Sequence, residues 1–169
     1  MQALFSNARI VHRLDMSTSG LIVMAKGLEV LRHLSRQFQK RQVNKTYTAE
    51  VWGQVEGEEG VIDLPLACDW PNRPRQEVNF ERGRAAITRW QVAARTSEAT
   101  RMILFPETGR SHQLRVHMKE LGHPIIGDEF YAEGEALAAS PRLALHATEL
   151  SFHHPDGGAM VHFKDAPSF

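Results

Sequence analysis

Cysteine is nearly absent from this chain: Cys68 stands alone among 169 residues, so no internal disulfide is available and a reducing compartment is the expected setting. No apolar run approaches the roughly 18 residues that a membrane-spanning helix needs. Residues 1–9 lack the apolar core of a signal peptide, and a cytoplasmic location is expected. Net charge is missing as well, since 20 basic residues balance 20 acidic ones and remove the overall cationic field of many nucleic-acid binders. There is no phosphate-cradling glycine loop of the Walker type, no Gly-x-Ser-x-Gly elbow and no internal repeat. The nine histidines form no metal-binding pattern: His112 and His117 stand five apart without the glutamate of a two-histidine zinc helix, and His153-His154 adjoin in a turn. No metal site is expected.

What is present suits one globular unit, read as a single domain over residues 1–169, with 42% hydrophobic and 24% charged residues. Charge is distributed in blocks. Basic residues gather between 32 and 45, between 73 and 89 and between 110 and 119, whereas acids gather at 56–59 and 128–135. Basic blocks that share a face would give a phosphate backbone a landing surface; blocks that do not are ordinary solvated faces.

The stretch 10–25 organises the rest. His12, Arg13 and Asp15 precede a hydroxyl-rich turn that ends in Gly20, and the apolar run 21–25 after it reads as a buried strand. Asp15 therefore sits on a loop beside a rigid element, the usual position of a catalytic carboxylate. On the residues alone, local turn hydrogen bonds by Asp15 and Ser17 explain the same pattern.

Further along, Leu28, Leu31, Leu34 and Phe38 repeat at helical spacing and predict an amphipathic helix over 28–41. Residues 46–52 alternate and predict a strand opened by Tyr47, and 53–60 form an acidic, glycine-bounded turn. Residues 63–83 hold three prolines and little periodicity, and read as a long irregular loop. Its Trp70, Arg73 and Arg75 have the composition of a nucleic-acid contact, or else Trp70 is pinned under its own loop. Residues 86–94 and 101–106 predict a strand pair, 111–121 a second helix stopped by Gly122, and 143–152 with 160–164 a terminal hairpin. The fold class expected is α+β, with a mixed, mostly antiparallel sheet flanked by helices and long loops.

His12-Arg13-Leu14-Asp15 with Ser17-Thr18-Ser19-Gly20 resembles the catalytic motif of the RluA-type pseudouridine synthases, which isomerise uridine in RNA. The likeness continues in order through Lys45-Thr46-Tyr47, the tryptophan loop at 68–74, Gly109 to His117, and the Gly-His-Pro-Ile-Ile-Gly-Asp run at 122–128. It implies a pseudouridine synthase-like catalytic domain that needs no cofactor and no metal. It also implies that Asp15 is the catalytic carboxylate, that Arg115 is the cation paired with it, and that Tyr47 stacks on the uracil and helps remove the proton from carbon 5. Contacts to RNA are implied at Arg13, Trp70, Arg73 and Arg110, with uridines of 23S ribosomal RNA and of a tRNA anticodon stem-loop as the targets. Family members usually begin with further strands carrying a Lys-Pro motif, and here the chain starts only a few residues before His12. An RNA-binding module that cannot turn over is the alternative reading. A carboxylate-pair glycosidase is weaker, since no second acid stands in a comparable motif.

Overall fold

A computed structural model of the chain describes residues 5–169. Its centre is a seven-stranded sheet in the order β11-β10-β4-β9-β8-β5, with β2 added beside β10. The three longest members are β4 (Asn44–Trp52), β8 (Ile87–Arg95) and β10 (Leu145–His153), joined by β9 (Ala99–Pro106), β5 (Glu59–Asp63) and β11 (Met160–Lys164). Every pairing along that path is antiparallel, and the parallel contact is between β10 and β2 (Ser19–Gly20). The α+β class with a mixed, mostly antiparallel sheet is therefore as expected.

Alternation along β4 decides what the sheet carries. Ala49 and Val51 are fully buried and pack with Met102, Leu104 and Leu145 against Leu114 and Met118 of α2 (Gln113–Glu120). Lys45 and Tyr47 precede them on the same face, because strand side chains repeat every two residues. Helix α1 (Leu28–Gln39) closes a second cluster, in which Leu34 meets Ala25, Val43, Leu150 and Phe152. Its expected stripe is shifted: Leu28 is exposed at the first turn, and Val30 with Gln37 join the packed side. The Gln37 amide reaches the backbone of His153, accepting its N–H at 2.8 Å and donating to its carbonyl at 2.7 Å.

Two expectations are corrected. The run 21–25 is not one strand. Gly20 ends β2 against β10, and the chain then turns so that β3 (Met24–Lys26) pairs antiparallel with β1 (Ala8–Ile10). Residues 63–83 are not an irregular loop, for β6 (Leu66–Cys68) and β7 (Gln76–Val78) form a small antiparallel ribbon. The prolines fall outside its ladder, at 65, 71 and 74, where no strand hydrogen bond is lost. A short helix, α3 (Gly134–Ala138), completes the set, and no helix among the described residues is long and apolar enough to cross a membrane.

Candidate active site

Asp15 is held on a turn that the surrounding sequence builds. The Thr18 N–H donates to the Asp15 carbonyl at 3.0 Å, closing the loop. Upstream, His12 accepts the Val23 N–H on Nε2 at 3.0 Å and stacks on Phe38 with ring centroids 4.6 Å apart. Burial first, then the charge of Lys45, pushes His12 down to about 4, so the imidazole is neutral at pH 7 and free to accept that bond. Downstream, the Ser19 hydroxyl pairs with Nδ1 of His146 at 2.9 Å, and the Leu21 N–H donates to the Ala147 carbonyl at 3.0 Å. Gly20 sits between them at φ 102°, and a Cβ there would lie 2.4 Å from the Ala147 oxygen. Only glycine satisfies both the left-handed backbone and the close approach.

The turn delivers Asp15 into a cavity of about 250 Å³, lined also by Arg13, Lys45, Tyr47 and Arg110. Among the described residues the Asp15 carboxylate has no ion pair within 4.0 Å and no hydrogen bond of its own. The local turn bonds that would have made it a purely structural aspartate are not formed by its side chain. Tyr47 faces the same cavity from β4, where it pairs with Leu104 and Ala147. Burial, and after it the negative charge of Asp15, pushes the Tyr47 phenol up to about 12, so it is protonated at neutral pH.

Arg115 is close by but is bound elsewhere, which corrects the expected Asp15–Arg115 pair. Its Nε donates to Asp128 Oδ2 at 2.8 Å and its Nη2 to Asp128 Oδ1, with 1% and 0% of the two residues exposed. The guanidinium also lies over the rings of Phe130 and Tyr131, 5.0 and 5.3 Å from their centroids. Burial works against its charge, yet the hydrogen bonds and charge of Asp128 outweigh that and hold Arg115 above its ordinary value, with Asp15 adding to the same direction. Asp128 further accepts the N–H groups of Phe130 at 3.0 Å and Tyr131 at 3.2 Å. The sequence reading gave Asp128 no role, although the Gly-Asp at 127–128 lay inside a quoted motif. A fully buried arginine is almost never left unpaired, and that was the available signal.

Polar side chains then fix α2 beneath the cavity. The Gln113 carbonyl oxygen accepts from the Thr108 hydroxyl at 2.7 Å and the Arg110 N–H at 3.0 Å, while its amide donates to the Ile87 carbonyl at 2.9 Å. The Tyr131 hydroxyl accepts the Gln76 N–H at 2.8 Å and shares a hydrogen bond with His112 Nδ1 at 2.7 Å. This bond ties the β6–β7 ribbon to the start of α2. At the ribbon tip Trp70 is 60% exposed, with the Arg73 guanidinium 4.7 Å above its ring. Trp70 is therefore not pinned under its loop. Trp70 and Arg73 lie outside the Asp15 cavity, whereas Arg13 and Arg110 line it.

The family model for RNA pseudouridylate synthase matches residues 4–120, which include Asp15, Tyr47 and Arg115. The chain belongs to the RNA pseudouridylate synthase family. Within it, the protein called dual-specificity RNA pseudouridine synthase RluA in Yersinia pestis is 54% identical over 98% of this chain and 81% of its own length. The protein of that name in Vibrio vulnificus (strain CMCP6) is 56% identical over 92% of this chain. This chain spans 64% of the length of that relative. Among solved structures, human RNA pseudouridylate synthase domain containing 1 superposes with a TM-score of 0.85 at 27% identity, covering 99% of this chain and 72% of the human one. The fold expected from the motifs is thus the fold of the family.

Proposed function

We propose that this chain is a single catalytic domain that isomerises uridine to pseudouridine in structured RNA, with Asp15 acting on the bound nucleoside. The observation that carries the reading is an unpaired carboxylate and a half-buried phenol lining one cavity small enough for one base and its sugar. The reaction breaks the bond between N1 and C1′, turns the base and joins C5 to C1′. The proton lost from C5 balances the one gained at N1, so no cofactor, metal or oxidant is consumed.

Asp15 serves either as a nucleophile toward the base or sugar or as a base at the sugar. Tyr47 stacks on the uracil and, as a phenol kept protonated, donates a hydrogen bond while Asp15 is charged. In the covalent route Asp15 loses that charge on forming its bond to the nucleoside. One of the two causes that raise Tyr47 then disappears, so the phenol ionises more readily, passing its own proton to solvent, and the phenolate takes the proton from C5. Arg115 works as a support: locked to Asp128, it fixes α2 behind the cavity and presents a permanent cation near Asp15.

A target uridine must leave its stack to reach a cavity of this kind. Arg13 and Arg110 at the rim contact the extruded nucleotide, while Trp70 and Arg73 at the ribbon tip contact RNA further away. By likeness to relatives named for dual specificity, the substrates proposed are a tRNA anticodon stem-loop and hairpin loops of 23S ribosomal RNA. The cytoplasm, where such RNAs are found, also suits the lone free Cys68.

Release of the C5 hydrogen from tritiated uridine tests this directly in both RNAs. Release from either, accompanied by pseudouridine in the digested product, is the expected outcome. Binding of both RNAs without release would make the chain an RNA-binding module instead.

A further inference from the structure

The rim of the Asp15 cavity opens into a larger groove of about 890 Å³, and the two hollows share Lys45 and Arg110. Arg41 and Arg89 line the groove as well. Its single acid, Glu107, is engaged by Arg89 at 3.2 Å. Lys45, Arg41 and Arg110 have no carboxylate within 4.0 Å among the described residues, so the groove holds uncompensated positive charge. The Lys45 ammonium makes one long hydrogen bond, 3.5 Å to the Thr108 carbonyl. Burial, then the charge of Arg41, holds it below its ordinary value, the condition of a cation that gains most from an incoming anion.

Arg41 adds an independent observation. It occupies the residue just after the C-cap of α1 at φ 55°, where the Gln42 N–H reaches the Gln37 carbonyl at 2.9 Å and the Arg41 N–H reaches the Phe38 carbonyl at 3.2 Å. This helix-ending motif normally takes glycine, because a side chain strains the left-handed backbone. An arginine in this strained position places a positive charge at the mouth of a cationic groove at a conformational cost.

We propose that this groove is a phosphodiester-binding track, in which Lys45 takes the phosphate joining the target nucleotide to its neighbour and Arg41 and Arg110 take adjoining phosphates. The proposal rests on the RNA reading above and names the backbone subsite of that reading. Lys45 is well placed for the junction, since it is one of the two cations common to both hollows and lies on the same β4 face as Tyr47.

Anisotropy titrations of a labelled anticodon stem-loop over a salt series, with wild type, Arg41→Gly and Lys45→Met, test it. Each variant is expected to flatten the slope of log K against log salt by about 0.7 to 0.9 and to bind about four- to sixfold more weakly at about 0.15 M salt. Arg41→Gly should at the same time melt about 2 to 4 °C higher than wild type, because it relieves the strain. Wild-type affinity and slope in both variants would overturn the track. Weaker binding together with a lower melting temperature in Arg41→Gly would make Arg41 a structural residue and remove it from the track. A wild type that neither binds nor converts the RNA would instead overturn the functional reading on which the track depends.

Discussion

Asp128 takes the Nε–Nη2 edge of the Arg115 guanidinium through two hydrogen bonds, while Asp15 feels the charge of that arginine without receiving a hydrogen bond from it. The division leaves one carboxylate satisfied and immobile inside the protein and a second one unpaired at the cavity wall. A bidentate ion pair between Asp15 and Arg115 would have occupied about half of the acceptor sites that the proposed chemistry of Asp15 draws on. Gly127 makes the arrangement possible: at φ 70°, with a would-be Cβ 2.2 Å from the Arg142 carbonyl, it lets the chain pass close enough to bury Asp128.

Removing either member of the buried pair strands the other charge. Arg115→Ala and Asp128→Ala should each lower unfolding free energy in urea by about 3 to 5 kcal/mol. The double variant should cost much less than the sum of the two. Arg115→Lys should not rescue, since an ammonium cannot make the planar bidentate contact. Additive losses would mean that the pair contributes nothing as a pair.

Tyr47→Phe separates stacking from proton handling. The variant keeps the ring on β4 and should bind RNA as wild type does, while single-turnover conversion falls by about 100-fold or more, the usual scale of a lost general acid or base. Undiminished conversion would confine Tyr47 to stacking.

The pH dependence of stability follows from His12. Its folded value of about 4 lies below the ordinary 6.5, so the unfolded chain takes up a proton that the folded chain refuses. The stability it contributes is complete above pH 6.5 and is lost as pH falls toward 4. His112 and His117, both lowered chiefly by burial, act in the same direction. Urea midpoints between pH 7 and 4.5 should therefore fall in wild type and fall less in His12→Gln, whose amide oxygen can still accept the Val23 N–H. Equal declines would remove His12 from the account.

Gly20→Ala tests how the carboxylate is positioned. The added methyl meets the Ala147 backbone at 2.4 Å on a left-handed residue, so β2 must leave β10. A loss of about 3 kcal/mol in stability is expected, with conversion reduced further than the folded fraction alone explains. Unchanged conversion per folded molecule would show that the β2–β10 contact does not position Asp15.

Much of this was legible in the residues because it is local. The spacing of Leu31, Leu34 and Phe38 announced α1, the alternation through Tyr47, Ala49 and Val51 announced β4, and the Gly122 terminator marked the end of α2. Asp15, Tyr47, Arg13 and Arg110 were singled out from motifs and do line one cavity. Features set by distant partners were not legible. Whether residues 21–25 continue as one strand depends on Ala147, more than a hundred residues away, and the β6–β7 ribbon depends on a ladder that the flanking prolines disguise. The partner of Arg115 could not be read either, because nothing in the order of the chain says which carboxylate closes over it.

The most direct test of the central claim is single-turnover conversion of a uridine-containing stem-loop by wild type and by Asp15→Asn. The amide keeps the size of the side chain and removes a negative charge, which should hold or raise affinity for RNA, but it abolishes both nucleophile and base. Conversion by wild type, with none by Asp15→Asn at RNA affinity no lower than wild type, is the predicted result. Comparable conversion by both proteins would contradict it and move the chemistry away from Asp15.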